Sequence, residues 1–472
     1  MKISFKSTID TKLFRLTGQT ADENGFECYL IGGFVRDIML KRKSKDIDIV
    51  VVGDGVEFAK ILAKKMGKGT SLTVFKTYGT AQIKTQNIEI EIVGARKESY
   101  QRESRNPIVE VGTLEDDQNR RDFTINALAI CLNNSRFGEL IDPFNGLQDL
   151  QDKIIQTPLD PNMTFSDDPL RMMRAIRFAS QLGFKITDKT LFSIWENRNR
   201  ISIITKERIT DELNKIMLSP VPSIGFFMLD KTELLPLIFP ELSEMKGVEK
   251  IGYRAHKDNF VHTLKVLDKM AEQSDDLWLR WASLLHDIGK PATKKWDENL
   301  GWTFHNHNFV GCKMTAKIFK NLKLPLGEPL RLVQKMVLLH MRPIALSEEK
   351  VTDSAVRRLL FDAGNDIDAL MTLCRCDITS NNMEKVKQFS DNFNLVSQKL
   401  VELEEKDKIR NFQPPVDGLE IMNTFGLQPC SLVGELKVQI KDAILDGIIP
   451  NEHDPAFEFL LKIAVDKGIN RV

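Results

Sequence analysis

The sequence predicts an α+β chain of more than one domain, with its strands gathered towards the N-terminus. Three observations predict it. The chain has 472 residues, more than one ordinary domain holds, and two to four are expected. Runs of strand character, such as "DIDIVVVG" and "IEIEIV", lie within the first hundred residues. Beyond residue 400, "GLEIMNTFGLQP" and "VGELKVQIKDAILDG" read as two short amphipathic helices after a Pro-Pro break. Composition is that of a globular protein, 42% hydrophobic and 28% charged. Lys plus Arg equals Asp plus Glu, 66 each, which argues against a protein that coats nucleic acid non-specifically; any such contact must come from a local patch. The six cysteines (28, 131, 312, 374, 376, 430) have no disulfide-framework spacing and suit a reducing cytosol. No signal-peptide pattern opens the chain, and no run of about 18 apolar residues predicts a membrane span.

Taken in order, "CYLIGG" reads as a buried strand closing on a Gly-Gly turn, and "FVRDIMLKR" follows with helical spacing. "DIDIVVVG" is a second strand. "VEFAKILAKKM" is a helix with an apolar stripe at Ala59, Leu62, Ala63 and Met66. "AQIKTQNIEIEIVGA" gives two further strands, with a turn near Gln86 and Asn87. The segment "ARKESYQRESRNPIVEVGTLEDD", rich in charge, reads as a mobile loop.

In "DIDIV", Asp46 and Asp48 share one strand face while Ile47 and Ile49 point into a core. Two carboxylates held this close repel, and a bound divalent cation removes that cost. Mg²⁺ prefers one or two carboxylates together with phosphate oxygens and water. Upstream, Gly32 and Gly33 let backbone N–H groups approach a phosphate, and Arg36 supplies a charge-assisted donor. Glu91 in "IEIEIV" is a third candidate carboxylate. These parts together describe a nucleoside-triphosphate site.

"RRDFTINALA" is read as a helix start with Asp122 as its N-cap. Arg120 and Arg121 would then oppose the helix dipole, a placement that an anion bound there would explain. In "DDPLRMMRAIRF", Asp168 before Pro169 reads as an N-cap with proline at N1. Arg171, Arg174 and Arg177 recur every three residues as one basic ridge. Aspartate only accepts and arginine only donates. Cytosine and adenine each offer an amino donor beside a ring-nitrogen acceptor, so such a pair suits them. Uracil and guanine present the reverse order, and leaving buried groups unpaired can cost a wrong substrate ~10⁴-fold.

"GGFVRD" (32–37), "DIDIV" (46–50), "RRDFTINALA" (120–129), "DPFNGLQDL" (142–150), "DDPLRMMRAIRFA" (167–179) and "ERITDEL" (207–213), in this order, resemble the class II tRNA nucleotidyltransferases, the CCA-adding enzymes, and the similar bacterial poly(A) polymerases. The resemblance implies a small polymerase-β-like palm followed by an all-α neck and body. It implies that Asp46 and Asp48 ligate catalytic Mg²⁺, that Gly33 and Arg36 contact the incoming nucleotide, that Arg121 holds its triphosphate or ribose, and that Asp168 and Arg171 select the base. The nucleotide-binding candidates are therefore Gly32, Gly33, Arg36, Arg121, Asp122, Asp168, Arg171, Arg174 and Arg177. One departure stands at Asp167, where the family usually carries glutamate. The partners implied are the tRNA 3′ end, CTP and ATP. CC-only enzymes of the family are shortened between the D-x-D and "RRDF"; this chain is not, which favours addition of C, C and A. Poly(A) synthesis and A-only addition are the alternatives.

His262, His286-Asp287, His307, His340 and Asp377 follow in the order His, His-Asp, His, His, Asp, which resembles the HD phosphohydrolase domain. Imidazole and carboxylate suit Mn, Fe, Ni or Zn, so a transition metal and a phosphohydrolase activity are implied as well. The domain scheme is a nucleotidyltransferase head at 1–155, helical neck and body at 156–235, an all-α HD domain at 236–400 and a C-terminal helical segment at 401–472. The expected location is cytoplasmic. Oligomeric state is not legible.

Overall fold

A computed structural model of the chain describes residues 4–43, 46–75, 79–85, 88–99, 108–248, 250–251, 254–255, 258–348, 352–379, 383–407, 409–410 and 412–471. The chain divides into two compact units, Met1–Pro240 and Glu241–Val472. After a one-turn helix at Lys6–Ile9, the first unit continues with helix α1 (Lys12–Glu23), β1 (Glu27–Ile31), α2 (Gly33–Met39), β2 (Asp46–Val52), α3 (Gly55–Met66), β3 (Ser71–Phe75), β4 (Thr80–Lys84) and β5 (Glu89–Gly94). After β6 (Arg96–Ser99), β7 (Ile108–Val111) and α4 (Leu114–Asn119) come β8 (Ala129–Cys131) and β9 (Leu140–Ile141). Seven strands form one sheet in the order β3-β4-β5-β2-β1-β8-β9. Only β2 and β5 pair in parallel; the other neighbours are antiparallel. The D-x-D strand is thus flanked on both sides.

The alternation of β2 decides what it buries. Ile47, Ile49 and Val51 are buried on one face, where Phe58, Ala59 and Leu62 of α3 provide apolar cover. On the other face, Tyr29, Ile31, Val50, Ala95, Ala129 and Cys131 form a small core. That second face turns acidic at the N-terminal ends of β2 and β5. The turn expected at Gln86 and Asn87 lies outside the described residues. Strand β3 adds a further strand on "SLTVF", whose burial alternates along its length.

The segment read as a mobile loop is structured at both ends. β6 and β7 pair as an antiparallel ribbon, as the β-branched alternation of "IVEV" permits. Thr113 then starts α4 through a capping box with Asp116, which satisfies two helix-end donors at once.

Helices follow: α5 (Gly146–Asp152), α6 (Pro161–Asp167), α7 (Leu170–Leu182), α8 (Asp188–Asn197), α9 (Lys206–Met217) and α10 (Pro222–Lys231). Helix α7 packs on α9 and α10, burying Met172, Met173, Ala175, Ile176 and Ala179. It ends at Gly183 in the left-handed conformation. A two-residue parallel pairing of Ile154–Ile155 with Lys185–Ile186 interrupts this helical region.

Among the described residues the second unit is helical apart from two short ribbons, Lys250–Ile251 with Arg254–Ala255 and Lys295–Asp297 with Gly301–Thr303. Its C-terminal part has three helices after the long Met383–Asp407, one more than expected: Gly418–Phe425, Ser431–Leu445 and His453–Asp466. Among the described residues no helix is long and apolar enough to cross a membrane.

Candidate active site and metal centre

The β2–β5 register sets Asp46 opposite Glu89 and Asp48 opposite Glu91. Asp46, Asp48 and Glu91 therefore share one face of two adjacent strands. Burial raises the Asp48 carboxyl to about 6; Arg121 opposes the rise, Glu91 and Asp46 add to it, and Arg36 opposes it. A carboxylate made costly by burial and by two like charges fits a divalent cation. Gly32 closes the site from the β1 side. Its φ of +77° with ψ of −142° is a glycine conformation. A Cβ there would stand 3.0 Å from Arg121 Nη1 and 3.1 Å from Asp48 Oδ2. A donor, a carboxylate and bare backbone thus meet at one point.

The arginines of "RRDF" do not start a helix. They follow the end of α4, with Arg120 as its C-cap, where cations suit the helix dipole. Both pair with Asp117, which is fully buried. Arg121 donates from Nε and Nη2 to Asp117 Oδ2 at 3.1 and 3.0 Å; Nη1, on the Gly32 side, donates to the Asn126 carbonyl at 3.4 Å. The expected N-cap at Asp122 is replaced by a different role. One oxygen accepts from Phe123 N–H and Asn126 Nδ2, both at 2.9 Å, and the other accepts from Arg174 Nε at 2.7 Å. Burial works against the ionised Asp122, yet Arg174 and Asn126 hold its carboxyl well below the usual range.

The arginines of α7 do not form an open ridge. Arg171 donates to the Arg120 carbonyl at 2.7 Å, Arg174 pairs with Asp122, and Arg177 pairs with the buried Glu212 of α9 at 3.0 Å. Asp168 Oδ1 accepts from Leu170 N–H, and Pro169 takes the N-cap position itself. Arg36 donates to Asn126 Oδ1 at 2.8 Å and to Asp37 at 3.0 and 3.1 Å. Phe178, one residue past Arg177, has the guanidinium carbons of Arg177, Arg36 and Arg174 at 4.2, 4.9 and 5.5 Å from its ring centre.

In the second unit the histidines converge. His262 lies in helix Asn259–Gln273, His286 caps Leu277–Leu285, His307 begins His307–Asn321, His340 caps Glu328–Leu339 and Asp377 ends Ile367–Asp377. Gly289 permits this: a Cβ there would fall 2.1 Å from the His307 carbonyl. His286, His307 and His340 each turn Nδ1 to a backbone carbonyl at 2.8 Å, and His262 Nδ1 meets Thr379 Oγ1 at 2.8 Å. All four Nε2 atoms then face carboxylates, the second-partner arrangement typical of metal-ligating imidazoles. Asp287 Oδ2 lies 3.2 Å from His286 Nε2 and 3.5 Å from His262 Nε2; its Oδ1 lies 3.4 Å from His307 and 3.8 Å from His340. Asp377 Oδ1 lies 2.9 Å from His262 Nε2. Among the described residues His286 Nε2 is buried and makes no well-aligned hydrogen bond, although Asp287 Oδ2 and Asp377 Oδ1 lie 3.2 and 3.5 Å away. Burial pushes the His286 imidazole down, but Asp287 and Asp377 carry it up to about 10. Burial and His286 push His340 down to about 4. Two overlapping groups could each hold a cation, His262, His286 and Asp287, and Asp287, His307 and His340.

A nucleotidyltransferase head with a carboxylate face, joined to helical segments and an HD-type cluster, is the class these features define. Three family models match: the poly A polymerase head domain over residues 28–156, the probable RNA and SrmB-binding site of polymerase A over 183–246, and the HD domain over 259–382. The chain is 30% identical over 424 residues to an A-adding tRNA nucleotidyltransferase of Deinococcus radiodurans, covering 88% of this chain and 90% of that protein. It is 36% identical over 280 residues to a CCA-adding enzyme of Anoxybacillus flavithermus, covering 59% and 64%. The crystal structure of the Bacillus stearothermophilus CCA-adding enzyme in complex with CTP shares the fold, with a TM-score of 0.68 at 22% identity, covering 97% of this chain and 99% of that one. The chain belongs to the class II family of CCA-adding and A-adding tRNA nucleotidyltransferases.

Proposed function

We propose that this chain extends the 3′ end of tRNA without a template, adding C, C and A from CTP and ATP. The observation that carries this is the pairing of one acidic strand face, Asp46, Asp48 and Glu91, with Arg121 and Arg36 near Asp48. In this reading the tRNA 3′ oxygen bonds to the α-phosphorus, the bond to the bridging oxygen breaks, and pyrophosphate leaves. Asp46, Asp48 and Glu91 would hold Mg²⁺, which when bound lowers the barrier by stabilising charge on the attacking and leaving oxygens. Arg121, anchored by Asp117, offers Nη1 to the triphosphate. Gly32 and Gly33 leave backbone room for the phosphates. Arg36, and Asp122 with its ion-pair partner Arg174 of α7, would line the nucleotide site on the side of that helix. Asp168 and Arg171 read the base, and Arg177 supports that helix through Glu212.

The domain scheme that goes with this is head 1–155, neck and body 156–235, HD domain 236–400 and C-terminal segment 401–472. All six cysteines carry free thiols, which supports a cytoplasmic setting.

Addition of A alone is the second reading, favoured by the A-adding name of a relative matched along most of both chains. Transcripts ending at the discriminator base, in C or in CC, incubated with labelled CTP, ATP, UTP or GTP singly and together, separate the two. Addition of two C and then one A to the discriminator end supports CCA addition. Incorporation of A only on the CC end supports the second reading. Long A tails overturn both in favour of poly(A) synthesis.

The HD cluster supports a further activity, metal-dependent phosphoester hydrolysis with Mn, Fe, Ni or Zn. Its test is hydrolysis of bis-p-nitrophenyl phosphate by metal-loaded wild type against Asp287→Ala. Equal rates would refute the site.

A further inference from the structure

We propose that Phe178 is a positioning residue for the nucleotide arginines, acting through the face of its ring rather than through its bulk. The proposal rests on the nucleotide-binding reading of Arg36 and Arg174. Phe178 is only 6% exposed, so it acts through other groups. Its ring gathers guanidiniums from two places: Arg36 on α2, and Arg174 and Arg177 on α7. Each guanidinium carries its own carboxylate: Asp37 for Arg36, Asp122 for Arg174 and Glu212 for Arg177. Phe123 adds an edge-on contact at 5.8 Å and 85°, from the residue next to Asp122.

Like charges gathered at one point repel, and carboxylates placed on the outside neutralise them only in part. An aromatic face on the inside adds attraction to every member, because its quadrupole is negative above and below the ring. One side chain therefore fixes groups from four segments: Arg36-Asp37, Asp122 to Asn126, Arg174 to Arg177, and Glu212. A leucine would fill much of the space and hold none of the charges. The ring is the point at which the sheet-bearing head and the selecting helix α7 share a charge arrangement.

The test uses 4-fluoro-, 3,5-difluoro- and 3,4,5-trifluorophenylalanine at position 178, with Phe178→Leu beside them. Stepwise fluorination weakens the ring quadrupole and nearly preserves shape. The expected result is a graded rise in KM for ATP, about tenfold for the trifluoro ring, equivalent to ~1.4 kcal/mol, because each weakened cation–ring contact loosens the arginine it holds. KM for tRNA should stay near wild type across the fluorinated series, while the melting temperature falls modestly in step, because the same ring contacts exist in the folded protein before ATP binds. A flat KM series alongside an impaired Phe178→Leu would overturn the proposal and leave Phe178 as packing alone. Should Phe178→Leu fail to fold, the fluorinated series still decides. Should wild type incorporate no nucleotide, the reaction reading fails separately. ATP affinity by calorimetry on the same series then decides the positioning role: a graded loss supports it and a flat series overturns it.

Discussion

Replacing Gly32 by alanine tests the geometry of the acidic face most directly. Two costs arise at once. The backbone, at φ +77° and ψ −142°, lies where side-chain-bearing residues cost ~1–3 kcal/mol. The new Cβ would also stand 3.0 Å from Arg121 Nη1 and 3.1 Å from Asp48 Oδ2. Each must give by a few tenths of an ångström. Both atoms end side chains, so the protein still folds, but the donor and the carboxylate move apart. A displacement of ~1 Å can cost ~10²-fold in rate, so a shift of this smaller size is expected to lower kcat about tenfold. Gly25→Ala is the control: Gly25 has φ +74° with nothing within 4 Å of its would-be Cβ, so it carries the strain without the contact. Steady-state addition to saturating tRNA gives kcat, and urea unfolding gives stability. Gly25→Ala should lose stability alone, while Gly32→Ala loses both. Gly32→Ala within twofold of wild-type kcat, or an equal fall for Gly25→Ala, would refute the argument.

Three further outcomes are expected. Glu212→Ala leaves the Arg177 guanidinium buried without its carboxylate and should lower unfolding free energy by ~3–5 kcal/mol in urea melts, whereas Arg177→Met with Glu212→Leu should lose much less. Asp122 has a folded-state pKa below its unfolded value, so its contribution is full above about pH 4, the usual range for an unfolded aspartate, and is lost as pH falls through the folded value. The stability gap between wild type and Asp122→Asn should therefore shrink below about pH 4; a gap constant from pH 6 to pH 3 would contradict the ion pair. Mn²⁺ or Zn²⁺ added to chelator-treated protein should raise its melting temperature in proportion to the logarithm of metal concentration. Asp287→Ala should reduce that rise to at most the part owed to the acidic face of Asp46 and Asp48, and an unchanged rise would place the metal elsewhere.

The sequence carried the acidic face because its signal is local. Asp46 and Asp48 alternate with Ile47 and Ile49, and Glu91 alternates with Ile90 and Ile92, so each strand announces its polar side. The partner of Arg120 and Arg121 was also readable: Asp117 precedes them by three and four residues, the spacing that brings helix side chains together. What misled was direction, since nothing local says whether "RRD" opens a helix or closes one. Glu212 left a fainter signal, a carboxylate three residues after Ile209 and just before Leu213, on a stripe that must be buried. Asn126 and Phe178 left none, because their roles depend on Arg36, more than eighty residues away along the chain. The HD ligands were legible as residue types in order. That Asp287 faces both histidine groups with different oxygens was not, since it depends on how five helices meet.

The pairing of β2 with β5 has a consequence for which changes of length this chain tolerates. Side chains on a strand alternate with a period of two, so losing or gaining one residue inverts the parity of everything beyond it. Deleting Ile47 would turn Asp48 into the apolar interior and bring Ile49 to the acidic face. The flanks carry no such constraint, because a connecting segment absorbs a residue without rotating a face. In a library of one-residue deletions, intolerance should therefore begin and end with the strand, and a compensating insertion within β2 should restore function only where it returns both aspartates to the same parity as Glu91.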